Sequence, residues 1–427
     1  MELLATREAG LERLRDFVPR AGRAYAAERN LDRGPDDRTN ISGLSPWVRH
    51  RLITERDIVE SVLQRHSLDA ASKFVQEVYW RTYWKGWLEL RPSVWARYTA
   101  SVEPAFVGLT DAERTNFEAA VTGSTGIDGF DDWATELVAT GYLHNHARMW
   151  FASIWIFTLR LPWQLGADFF MRHLLDGDPA SNTLSWRWVG GLQTVGKTYL
   201  ATTQNIESAT GGRFRPRGLA THAIALDEDS PTPAPLAAPH QGPVPGGRIA
   251  LLLHEDDVCA ESLAPLLETS GAQVVAVAAP RAGEPRSILC ASSGLSGQPV
   301  DSGAEALPSS LLVASFTSSA LADGLSRASK HFIAEASVLD TFDADEVLPW
   351  LRSNNLTALV TPYAPVGPVR DRLDRLTVDL AAEGITLSRV LRTWDSQAWP
   401  HAARGFFSFR ERIPALVREQ QLDGSGG

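Results

Sequence analysis

Residues 140–188 restrict the fold of this chain more than any other stretch. They read TGYLHNHARMWFASIWIFTLRLPWQLGADFFMRHLLDGDPASNTLSWRW and carry five tryptophans. The run that follows His144, Asn145 and His146 is so apolar that it has to be a core helix, yet Arg148 stands at its head. A guanidinium in that position is costly unless a carboxylate meets it. Asp176 and Asp178, in the turn before Trp186-Arg187-Trp188, are the candidates. Rings packed around a charge-balanced polar turn suggest a large planar cofactor.

A chain of 427 residues is long enough for two or three domains. No uncharged apolar run of about 18 residues occurs, so a membrane span is not expected. The N-terminal segment reads as a charged amphipathic helix and not as a signal peptide. Two cysteines, Cys259 and Cys290, lack metal-ligand spacing, which points to a reducing cytoplasm and no metal centre. Charge is unevenly placed. Residues 1–225 hold 26 Lys and Arg against 26 Asp and Glu, and the remainder 15 against 25, which accounts for the net −10. Net acidity argues against loose binding to nucleic acid but leaves room for a local basic groove.

Hydrophobic periodicity divides the chain into an all-helical first half and a second half of alternating strands and helices. Helices are expected at residues 11–28, 70–90, 111–121, 129–139, 143–161, 166–175 and 190–203, with Ser45-Pro46 opening one and Thr54 with Asp57 capping another. Domain boundaries follow: a helical domain over 1–218, a Pro- and Ala-rich linker over 219–247, an α/β domain over 248–421 and a disordered tail over 422–427. In the second half RIALLLH, AQVVAVAAP, SLLVASF, HFIAEASV, LTALVTPY and GITLSRVL read as strands. Helices at 341–353 and 366–383 between them imply βαβ units and a parallel, Rossmann-like sheet. Residues 404–421 read as a docking helix. The first strand is followed by no GxGxxG and no GxxxxGK[ST] but by Glu255-Asp256-Asp257, a poor place for a phosphate.

Several motifs of the first half, in this order and spacing, resemble the flavin-binding domain of the DNA photolyase and cryptochrome family. Tyr25 with Arg29, followed by Ser42-Gly43-Leu44-Ser45-Pro46, is similar to the family's phosphate-holding segment. Glu77-Val78-Tyr79-Trp80-Arg81 matches E-x-x-W-R. His144 to Met149 matches H-N-R-x-R-M with one change, and Asp176 to Asn182 with Trp186 to Trp188 matches D-G-D-x-A-x-N and W-x-W. The resemblance implies FAD as cofactor, held by Tyr25, Ser42, Gly43, Leu44, Ser45, Arg81, Arg148, Asp176, Gly177, Asp178 and Asn182. It implies that Glu77, Trp80, Asn145 and Met149 line the pocket for a cyclobutane pyrimidine dimer flipped out of DNA, single-stranded DNA included. Trp186 and Trp163 would be the first members of an electron-transfer chain. The implied reaction is light-driven dimer splitting by electron transfer from reduced flavin.

The chain also departs from the family. The arginine usual after H-N is His146, T-G-T-D-A after W-x-W is replaced by LQTVGKTY, and no tryptophan lies between Trp95 and Trp133, where a third electron-transfer member is due. The family's α/β antenna-type domain normally comes first, and here the α/β half comes second, which reads as a permuted arrangement with a second chromophore left open. Three functions therefore compete: a photolyase, a cryptochrome-like photoreceptor with a protein partner, and a flavoprotein working without light.

Overall fold

The computed structural model describes residues 3–229, 231–235, 244–289 and 310–422. Cys290 and residues 423–427 of the expected tail lie outside them, whereas Leu422 is buried. The first half is helical among the described residues. α1 (Arg7–Phe17) starts at the Thr6 cap and ends where Pro19 enters a 3₁₀ turn, and α2 is Arg23–Glu28. One helix over 11–28 is therefore replaced by two, because proline cannot extend the ladder. α3 is Ser45–Arg49, and α4 (Glu55–Leu63) begins with the expected Thr54–Asp57 capping box.

The 18-residue α5 (Ser72–Glu89) stops before Pro92, but that proline then opens α6 (Pro92–Val107), a helix absent from the sequence reading. Its missing N–H costs nothing in a first turn. α7 (Asp111–Thr122) and α8 (Phe130–Thr140) follow. α9 (Asn145–Ser153) runs into a π-helical turn at Ile154–Thr158. α10 is Trp163–His173, α11 is Pro179–Val189 and α12 is Thr203–Ala209. No helix forms over 190–203 as expected, since Gly191 and Gly196 sit at φ +83° and +79° and break the ladder until Thr202 caps α12.

In the second half β1 (Gly247–Leu252), α13 (Ala264–Thr269), β2 (Ala272–Pro280), α14 (Leu311–Phe332), β3 (Glu335–Leu339), α15 (Ala344–Ser353), β4 (Ala358–Pro362), α16 (Pro368–Ala382) and β5 (Thr386–Val390) build one sheet, all parallel, in the order β3-β2-β1-β4-β5. The SLLVASF run is not a strand. It opens α14, whose buried Val313, Phe316, Thr317, Ala320, Leu321 and Gly324 recur at helical spacing, a period that a seven-residue window does not show. Ile249 and Leu251 join the core shared by α13, α14 and the helical half, while Ala250 and Leu252 join that of α15 and α16. The expected helix over 404–421 is split. α17 (Thr393–Ala398) is followed by α18 (Phe406–Arg410) and α19 (Ile413–Glu419), with Pro414 in the first turn of α19.

The two halves share one core. Trp394 stacks on Tyr79 at 4.7 Å and its indole donates to Thr82 at 2.9 Å. Glu89 accepts from Tyr363, the Val366 N–H and Arg370 at 2.8–2.9 Å. The acidic run after β1 is buried in this contact. Arg49 meets Asp256 at 2.5 Å, Arg51 meets Asp257 and Asp395, and Arg392 meets Asp257 through two bonds of 2.6 Å. The segment expected as a linker is tied down where it is described. The Leu226 N–H donates to the Gly190 carbonyl and that of Ala234 to the Leu90 carbonyl, while Glu228 pairs with Arg187 and accepts from the Trp163 indole. No helix among the described residues is long and apolar enough to cross a membrane.

Candidate cofactor and substrate site

A cavity of about 550 Å³ opens between α2, the loop before α3, α5, α9 and the turn into α11, in the range of roughly 300–1,000 Å³ usual for cofactor sites. Every site residue named from the sequence lines it except Trp163. From α5 come Glu77, Trp80 and Arg81, from α9 Asn145, Arg148 and Met149, and from α11 Asn182 and Trp186. Spacings of three and four put each set on one helix face.

The polar turn is built as the sequence suggested. Arg148 donates to both oxygens of Asp176, at 3.0 and 2.9 Å. Burial alone would raise the Asp176 carboxyl, but Arg148, with help from Arg81 and the Ser45 hydroxyl, holds it below the usual range. Asp178 caps α11 by accepting from the Ser181 N–H at 2.8 Å, with Pro179 in the first turn. Its burial is outweighed by Lys85, Arg81 and Arg49, which hold its carboxyl far below the ordinary value. Lys85 lies 3.5 Å from it and is almost fully buried. This partner was missed, although a lysine in the Trp-rich run RTYWKGWLEL had to have one. The clasp between the halves reaches the same turn, for Arg49 donates to the Gly177 carbonyl at 2.6 Å and Arg286 to that of Leu174 at 3.1 Å.

At the other wall, Gly43 takes φ +63°, and a Cβ there would come 3.1 Å from Arg13, whose Nε donates to the Ser42 carbonyl. This turn leaves Ser42, Leu44 and Ser45 on the cavity beside Tyr25. Asn182 donates its side-chain amide to the Ala167 carbonyl at 2.8 Å, which anchors it on the wall. Trp186 sits edge-on to Phe170 at 5.1 Å and presses on Gly166, where any Cβ would collide with its ring. Trp163 lies behind, stacked on Tyr98 at 5.4 Å and 25°, and Tyr98 is 5.5 Å from Trp95.

Around the mouth, Glu77 accepts from Arg29 at 2.6 Å. Burial raises its carboxyl above the usual range and Arg29 works against that. His146, in place of an arginine, is lowered by burial and by Arg29, so it is neutral near pH 7. Phe406 of α18 lies against Trp80, with ring centroids 3.7 Å apart. Nothing local in the sequence marks this contact across more than 300 residues.

Residues 74–216 match the family described as the FAD binding domain of DNA photolyase. A deoxyribodipyrimidine photo-lyase of Thermus thermophilus is 32% identical over 218 residues, 49% of this chain and 48% of that protein. The mitochondrial deoxyribodipyrimidine photo-lyase of Saccharomyces cerevisiae is 32% identical over 194 residues, 42% of this chain and 33% of that protein. A class III photolyase structure from Agrobacterium tumefaciens aligns with a TM-score of 0.42 and 28% identity, covering 48% of this chain and 43% of that one. The chain thus spans half or less of the length of these relatives. FAD is the cofactor implied, and the walls fit it. Arg81 Nη1, the Ser181 hydroxyl and Trp186 Nε1 are buried on the cavity without a partner among the described residues. Buried donors are normally satisfied, so these suit a ligand carrying acceptors along a flat ring and a pyrophosphate.

Proposed function

We propose that this chain, whose residues 74–216 match the FAD binding domain of DNA photolyase, splits cyclobutane pyrimidine dimers in DNA under blue light. The observation that carries the reading is one cavity lined both by the Arg148–Asp176 turn and by Glu77, Trp80, Asn145 and Met149. Bound FAD supplies the light-driven electron chemistry. The chain's own residues bind and orient. Ser42, Ser45 and Arg81 hold the phosphate end, Arg148, Asp176, Asp178 and Asn182 fix the ring, and Trp80 offers a flat apolar face to a flipped base. Glu77 and Asn145 bond the base edge, Met149 fills the gap beside it, and Trp186 and Trp163 are the first members of an electron-transfer chain to the ring, with Tyr98 stacked on Trp163. The C-terminal half is a Rossmann-like, antenna-type domain in permuted position, a reading its strand order supports. The protein would work in the cytoplasm.

The test is incubation of the FAD-loaded, reduced protein with dimer-containing single-stranded DNA under blue light. We expect loss of dimers that depends on light and on Glu77, and no loss would sink repair. A second reading, a cryptochrome-like photoreceptor signalling to a protein partner, is favoured by one observation. Two residues due to face the lesion are already engaged inside the chain, Glu77 by Arg29 and Trp80 by Phe406.

A further inference from the structure

The end of the α/β half reaches the mouth of the cavity. α18 lies on α5 with Phe406 turned inward, its ring 3.7 Å from Trp80 and 5.3 Å from Tyr83, and the Tyr83 hydroxyl donates to the Arg404 carbonyl at 3.0 Å. The next residue faces the other way. Phe407 is 74% exposed, the one aromatic ring among the large hydrophobic side chains left that open in the described residues. The Arg410 guanidinium stacks on it at 5.2 Å. Single exposed apolar residues are ordinary, so the neighbours decide. Arg410 has no carboxylate partner among the described residues, nor has Lys73, which lies two turns before Trp80 on the same face of α5 and acts on Glu77. Arg410 on α18 and Lys73 on the Trp80 face of α5 are thus both left without an ion pair, and Arg410 belongs to a half in which acids outnumber bases 25 to 15.

A ring open to stacking, with unpaired cations on its own helix and on the helix it packs against, is the arrangement that takes up a nucleic acid strand: bases stack and phosphates meet the charges. A protein partner would be served by a contiguous apolar patch, and Phe407 stands alone on α18. We propose that α18 is a DNA-contacting element in which Phe407 stacks on the base flanking the nucleotides that enter the cavity, while Arg410 and Lys73 bind the phosphates on either side. The proposal rests on the photolyase reading and adds to it a surface outside residues 74–216.

The experiment measures, in the dark, the anisotropy of a fluorescein-labelled single-stranded oligonucleotide with one thymine dimer, and of its undamaged twin, with full-length FAD-loaded protein at several salt concentrations. Wild type should prefer the dimer strand. Phe407→Ala should weaken binding about tenfold or more, Phe407→Trp should restore it, and Arg410→Ala should flatten the salt dependence by about 0.7 in log–log slope. Wild type that binds neither strand overturns the photolyase reading and this proposal together. Dimer preference intact in wild type, with Phe407→Ala and Arg410→Ala both binding as tightly, overturns the role of α18 and leaves repair standing. A changed sedimentation rate for Phe407→Ala with unchanged DNA binding does the same, and marks α18 as a contact between copies of this chain.

Discussion

Two buried charge networks lie side by side in this protein, and they are finished differently. In the clasp between the halves, Arg49, Arg51 and Arg392 each find a carboxylate within 3.4 Å, and side-chain exposure there is at most about a tenth. In the cavity turn, Asp176 and Asp178 are matched by Arg148 and Lys85, yet Arg148 keeps 24% of its side chain exposed, whereas partnerless buried atoms occur in both networks, Arg81 Nη1 at the turn and Arg51 Nε and Asp395 Oδ1 in the clasp. A network shut away from solvent fixes two bodies together. A network left open on one side keeps a place for a ligand. Arg49 and Arg286 join the two, since both hold carbonyls of the 174–177 turn.

The contrast breaks most visibly at Asp257, which accepts from both Arg51 and Arg392. Asp257→Asn leaves two buried guanidiniums short of a charge, and breaking such a pair costs about 4 kcal/mol. We expect a lower denaturant midpoint and separate unfolding of the two halves, with FAD per folded molecule close to wild type. Asp176→Asn should do the converse. Its partner is partly solvated, so the stability loss is smaller, about 2 kcal/mol, but FAD should be lost on gel filtration. Absorbance at the flavin band against unfolding curves for both variants checks the pair. If Asp257→Asn sheds FAD as fully as Asp176→Asn, the two networks are one.

What was legible from the sequence follows the same division. Most cavity residues were named through the family resemblance, and only part of the site was readable from local constraints: E-x-x-W-R shares one helix face, and an arginine at the head of an apolar helix calls for the acids of the next turn. The clasp was not readable. Arg49 and Asp256 are 207 positions apart, and an acidic run after a strand shows no partner by itself, although its unsuitability for phosphate was visible. Lys85 could have been found by asking what neutralises a lysine among tryptophans. The SLLVASF run failed because a largely apolar window of seven residues fits either period, and residues 190–203 failed because the positive φ of Gly191 and Gly196 outweighs their apolar neighbours. Phe406 on Trp80 depends on how a distant helix docks.

The smallest expected effect separates the networks by pH. Burial pushes His144, at the cavity, down to about 4, with His146 and Arg148 adding to the shift and Asp32 and the Arg29 carbonyl opposing it. The unfolded chain takes up the corresponding proton near pH 6.5. As pH falls from about 6.5 towards 4, the unfolded state gains a proton that the folded state refuses, and stability declines by up to about 1.4 kcal/mol per pH unit. Above 6.5 this contribution is flat. His50, in the clasp, is lowered in the same direction by burial and by Arg286 and Arg49, and burial lowers His146, His173 and His254 as well, so one slope holds all these terms. His144 accepts from the His146 N–H as the cap of α9, and His144→Asn keeps a capping residue while removing the titration. Its unfolding free energy, measured by urea at half-unit intervals from pH 7 to 4.5, should fall about 1 kcal/mol per unit less steeply than wild type, and the His50 part of the slope should remain. Coincident profiles would show that His144 titrates as if in water and that the cavity mouth is open to solvent there.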